Sequence, residues 1–195
     1  LTVMHSNWLP QFASDLFYDY IAYTQEIQGV GHVGLAVTYF NLGENNYTSD
    51  SPTILDTFLS YEFAIGLTYA TPITKNLAGG VTFKFIRSAL SPFGQGKEKG
   101  SGRASDVAFD VGLLYRADRY IRGLTLGVNL SNMGPKISYI DEAQADPIPT
   151  NIKMGLAYKI IDDSFNQLTF VYDINKLLVT RTRDPFYVAI FKAWW

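Results

Sequence analysis

Hydrophobic and polar residues alternate with a period of two along most of this chain, the pattern of a strand with one apolar face. In residues 60–70, Tyr61, Phe63, Ile65, Leu67 and Tyr69 lie on one face and Ser60, Glu62, Ala64, Gly66 and Thr68 on the other. The same alternation runs through 106–115, 124–131, 152–159 and 168–175. It is less clean near 1–8, 15–26, 31–42 and 79–88. About nine strands are predicted, most of about 9–12 residues; soluble sheets favour roughly 5–6 and tilted membrane strands roughly 9–11.

The connections sort by length. Short ones fall near 27–30, 71–77, 117–121 and 162–166, and long ones near 9–14, 43–58, 89–104 and 132–150. Transmembrane barrels have this asymmetry, with tight periplasmic turns and long outer loops. Tyr23, Tyr69, Tyr115 and Tyr158 each precede a short turn, at spacings of 46, 46 and 43 residues. Tyrosine suits the lipid–water boundary, because its ring lies in the apolar layer while its hydroxyl reaches water. These four are the candidate girdle. The expected fold is all-β, a transmembrane antiparallel barrel of the bacterial outer membrane. Its apolar face meets lipid and its small, polar face meets the lumen.

Composition sharpens this picture. The chain has 195 residues, 47% hydrophobic and 17% charged, where roughly 25% charged is usual. It carries 13 Tyr, 13 Phe and 3 Trp. A soluble β-protein with one buried face would put Lys, Glu and Thr on its outer side; here that face is rich in Gly, Ala, Ser and Thr. The net charge of −2, with scattered Lys and Arg, gives no pull toward nucleic acid. There is no cysteine for disulfides or thiolate metal sites. No apolar run approaches the roughly 18 residues of a transmembrane helix. Single-chain bacterial barrels have an even number of strands, and an open edge in lipid leaves backbone groups unpaired. Residues 1–195 are therefore expected to be part of one barrel domain, with several strands outside it.

Candidate chemistry is sparse. Gly29-Val30-Gly31-His32-Val33-Gly34 fits the dinucleotide fingerprint, but that fingerprint must open a helix. Leu35 to Phe40 continues a strand instead, so a hairpin turn is expected. His5, Ser6 and Asn7 are triad residue types, yet neighbouring strand residues point to opposite faces and cannot converge. The two histidines have no ligand spacing around them, so no metal, cofactor or catalytic residue is expected. Lys84, Asp106 and Asp110 share the polar face by parity. Hairpin geometry about residue 97 would set Lys84 opposite Asp110, and a lumen ion pair between Lys84 and one of these aspartates is expected. The loop 132–150 carries Pro135, Pro147 and Pro149 and presents Ile137, Tyr139, Ile140 and Asp141. Such apolar residues on a long outer loop make either a partner surface or a cover over the barrel's own mouth. Residues 173–179 have a composition that could turn helical and line that mouth.

Several segments resemble one family. His5-Ser6-Asn7-Trp8-Leu9-Pro10, Ser60 to Leu67, Pro147-Ile148-Pro149-Thr150-Asn151 and Asp173 to Val179 are similar to the PorV family of the type IX secretion system of Bacteroidota. Ser131-Asn132-Met133-Gly134-Pro135-Lys136-Ile137-Ser138-Tyr139 is the most specific match; it favours PorV over the paralogue PorQ. The resemblance implies a barrel similar to the FadL fatty-acid transporters and a non-enzymatic role. It implies that the protein holds secreted cargo by its C-terminal signal domain. It further implies transfer of that cargo from the secretion translocon to a surface attachment complex. A FadL-like channel for hydrophobic small molecules is the alternative.

Overall fold

The computed structural model describes residues 1–11, 13–48, 53–92, 102–139, 145–179, 188 and 190. Nine strands form one antiparallel meander: β1 (Thr2–Asn7), β2 (Leu16–Ile27), β3 (Gly31–Thr48), β4 (Ile54–Pro72), β5 (Leu77–Ala89), β6 (Arg103–Arg116), β7 (Leu124–Met133), β10 (Asn151–Asp162) and β11 (Gln167–Leu177). Between β7 and β10, β8 (Lys136–Ile137) and β9 (Asp146–Pro147) pair as a separate ribbon. Among the described residues the sheet is not closed; β1 and β11 are its edges.

Burial is inverted relative to a soluble fold. Ile65, Leu67, Phe83, Phe109, Val111 and Leu126 are all more than a third exposed, while the buried apolar residues are mostly alanines, with Ala108 fully covered. Cross-strand register stacks the large residues on one face: Leu35 faces Leu67, which faces Phe83, which faces Phe109. The opposite face carries Thr68, Thr82, Asp110, Gly112, Thr125 and Asn129 and walls a cavity of about 650 Å³. A large apolar face that no layer of the described residues covers belongs against lipid, and the small, polar face belongs to the lumen. The fold is thus that of an outer-membrane barrel wall.

The turns are local chemistry. In the turn at 28–30 and at the first residue of β3, Gly29 (φ 75°) and Gly31 (φ 137°) take backbone conformations that L side chains rarely adopt. A Cβ on Gly31 would also strike the Ala70 carbonyl and the Tyr69 ring. Strand β3 follows directly, so this glycine run is a hairpin. At 163–166, the Asp163 carboxylate accepts the N–H groups of Phe165 (2.8 Å) and Asn166 (2.7 Å), which hold its pKa below the usual carboxylate range.

Three expectations need correction. The segment 43–58 is mostly strand rather than loop: β3 runs to Thr48 and β4 starts at Ile54. Past a register shift at Asn41/Glu44, the pairs Asn45↔Phe58 and Asn46↔Thr57 carry the hairpin outward. Ladder hydrogen bonds hold these residues without alternating hydropathy, because this part lies beyond the apolar belt. Residues 173–177 remain strand rather than turning helical, since Asn151 to Gly155 of β10 offer them ladder partners. The β5–β6 register sets Lys84 opposite Ala108 and Thr82 opposite Asp110, so the hairpin is centred one residue earlier than expected.

The face assignment predicts an asymmetric response to charge. In the full-length protein, Ile65→Arg, midway between Tyr61 and Tyr69 on β4, should cost about 2–4 kcal/mol, as cations at the bilayer midplane do, and Thr38→Arg, at nearly the same depth on the other face, much less. Denaturant unfolding in lipid vesicles measures both; equal costs would show that the faces are misassigned.

Candidate functional site

The polar face concentrates its chemistry where β5, β6 and β7 approach the long-loop end. Lys84 Nζ lies 2.6 Å from Asp110 Oδ2 and donates to Asn132 Oδ1 at 2.9 Å. The second Asp110 oxygen accepts the Asn132 backbone N–H at 2.8 Å. Lys84 and Asp110 are 23% and 15% exposed, so the pair is partly desolvated. The two side chains meet diagonally across the ladder rather than directly. Asp106 takes no part: it stands opposite Ile86, and its carboxylate accepts the Val107 N–H.

Asn132 is the hub. Phe109 pairs with Met133 but Val111 with Leu130, so an extra residue of β7 bulges against Asp110. Asn132 there has φ 57°, a left-handed conformation that Asn tolerates better than most residues. It donates from Nδ2 to the Pro149 carbonyl (3.2 Å), and its own carbonyl accepts the Thr150 hydroxyl (2.8 Å). One residue thus ties both roots of the 134–150 loop to the Lys84–Asp110 pair. Thr150 in turn accepts the Leu178 N–H at 2.8 Å.

The loop is folded down onto the wall. Ile148 is buried, and Gly134 packs so close that a Cβ would collide with the Val107 carbonyl and the Ile148 side chain. Ile137, in the β8–β9 ribbon, and Tyr139 are half-buried. Ile140 and Asp141 lie outside the described residues.

The four tyrosines share the apolar face. Tyr23 faces Leu35, Tyr69 faces Val33 and Val81, Tyr115 faces Leu77 and Leu126, and Tyr158 faces Leu124. Their rows step steadily toward the short turns, from Leu35 to Val33 on β3, from Val81 to Leu77 on β5 and from Leu126 to Leu124 on β7. Tilted barrel strands need such a stagger to keep a ring level. The Tyr69 hydroxyl donates to the Val30 carbonyl (2.6 Å) in the neighbouring turn, and that of Tyr23 to Gln25 (3.2 Å).

Sequence reasoning missed three groups. Asn132 was visible only as an Asn at a strand end. Lys153 pairs with Asp173 at 3.1 Å on the polar face, a diagonal contact that parity allows but does not locate. His5 Nδ1 lies 2.6 Å from Asp19, and its Nε2 3.2 Å from Asn7, all three on one face with Ser6 on the other.

The hub predicts a specific lesion. Asn132→Ala loses the contacts to Lys84 and Pro149 and strains the bulge, each effect worth about 1–2 kcal/mol. Limited proteolysis should then cut within 134–150 much faster while the barrel stays folded. Unchanged cleavage would mean that Asn132 does not hold the loop.

No curated protein matches the chain. A family model described as type IX secretion system protein PorV matches residues 1–184. That family is one of secretion proteins of the outer membrane rather than of enzymes, in keeping with an exposed apolar belt and a small-residue lumen face. The chain belongs to the PorV family of the type IX secretion system, and its place is the bacterial outer membrane.

Proposed function

We propose that this protein holds secreted cargo by the cargo's C-terminal signal domain and carries it from the secretion translocon to the surface attachment complex. Membership of the PorV family supports the system; the anchored loop supports the mode. An outer loop that recognises a protein must keep its shape between encounters. Here Asn132, Pro149 and Thr150 fasten both roots of the loop to a partly buried ion pair. Preorganisation of this kind lowers the ordering cost of binding. Ile137, Tyr139, Ile140 and Asp141 are the proposed contact residues, with translocon and attachment-complex subunits as further partners. Tyr23, Tyr69, Tyr115 and Tyr158 are proposed to fix the barrel's height in the membrane.

The alternative, a FadL-like channel for hydrophobic small molecules, draws on the cavity of about 650 Å³ along the lumen face. Two ion pairs, Lys84–Asp110 and Lys153–Asp173, stand on that face and disfavour an apolar solute.

Affinity purification from native outer membranes separates the two readings. Wild-type protein should bring down cargo and secretion components, and a variant with 137–140 replaced by Gly and Ser should lose most of that cargo while remaining a folded barrel. Undiminished cargo recovery would remove this loop from the interface. Uptake of a hydrophobic probe without any cargo recovery would favour the channel.

A further inference from the structure

On β5 and β6 the lipid-facing rows end abruptly in positive charge. On β5 the outward residues Val81, Phe83 and Phe85 are followed by Arg87; on β6 Val111, Phe109 and Val107 are followed by Ser105 and Arg103. Arg87 faces Ser105 and Arg103 faces Ala89, so the two arginines are diagonal neighbours on adjacent strands. Such neighbours have Cα atoms roughly 7–8 Å apart, within reach for two long side chains to converge. Arg87 also faces Phe63, and Ala89 faces Tyr61, where stacked Tyr39, Tyr61 and Phe63 rings form an aromatic border on the same face.

Neither arginine has a carboxylate partner among the described residues. The nearby strand acids, Glu62 and Asp106, stand opposite Ser88 and Ile86, on the lumen face. Asp19 shares the outward face, but His5 occupies it. The long-loop end of an outer-membrane barrel faces the cell exterior. At that border, the strong anionic acceptor available to an outward guanidinium is a lipid phosphate, which arginine's planar fork binds through paired hydrogen bonds.

We propose that Arg87 and Arg103 form a binding site for the phosphate of an outer-leaflet glycolipid of the lipid A type, with Phe63 beside them and Phe85 and Val107 below receiving its acyl chains. Two cations clamp the headgroup and the apolar strand rows seat the tails. This site is separate from the loop proposed to meet cargo.

The test uses the full-length protein in nanodiscs of phosphatidylcholine doped with lipid A, with native mass spectrometry counting retained lipid A. Wild-type protein should retain lipid A about tenfold better than R87Q/R103Q, the scale of losing charge-assisted hydrogen bonds. It should also retain it about tenfold better than the same lipid stripped of its phosphates, a comparison that needs no variant. R119Q, in the turn at the opposite end, should retain lipid A as wild type does. Equal retention of phosphorylated and dephosphorylated lipid by wild-type protein would overturn the proposal. So would wild-type retention by R87Q/R103Q, or an equal loss in R119Q.

Discussion

A peptide group in hydrocarbon has no water to turn to, so each N–H and C=O of a membrane strand must find its partner on a neighbouring strand. The rest of the structure depends on that demand. It forces a continuous antiparallel ladder from β1 to β11, and the ladder forces side chains to alternate between lipid and lumen. The large residues can then sit exposed and the alanines buried, because lipid rather than protein completes the packing. Even the departures serve the ladder. Where β7 bulges, the Asn132 N–H that has left its ladder place is taken up by the Asp110 carboxylate.

Much of this was legible because alternation is a local property. The face on which Phe109, Val111, Lys84 or Asp110 lies follows from counting by twos, and most of the strands follow with it. Register is another matter. It depends on how many residues each hairpin consumes, and a centre misplaced by one residue puts Lys84 opposite the wrong partner although its face is right. The extended hairpin at 44–59 was illegible for a different reason. Outside the apolar belt nothing selects alternating hydropathy, so polar strand and polar loop look alike.

The candidate site was legible in its parts and not in its assembly. Pro135, Pro147 and Pro149 announce a stiffened loop, and its apolar residues announce a surface. Nothing in their spacing says that one asparagine, in a left-handed conformation, joins both loop roots to an ion pair on the wall. That connection spans residues 84 to 150 and exists only once three strands lie side by side. The polar network thereby links lumen and exterior: the same Lys84 that faces the cavity side braces the loop proposed to meet cargo.

The bulge at Asn132 bears on how such a wall can change its length. Within the belt, adding one residue would turn every later side chain of that strand to the wrong medium, so tolerated changes there come in pairs. A two-residue change preserves the faces but slides the strand's tyrosine along the membrane normal, out of step with its neighbours. Asn132 lies past Leu130 at the rim of the apolar rows, where an odd residue is absorbed before the chain enters the loop. Single-residue insertions and deletions should therefore accumulate at this rim and in the outer loops, leaving the belt itself to vary in residue type and almost never in count.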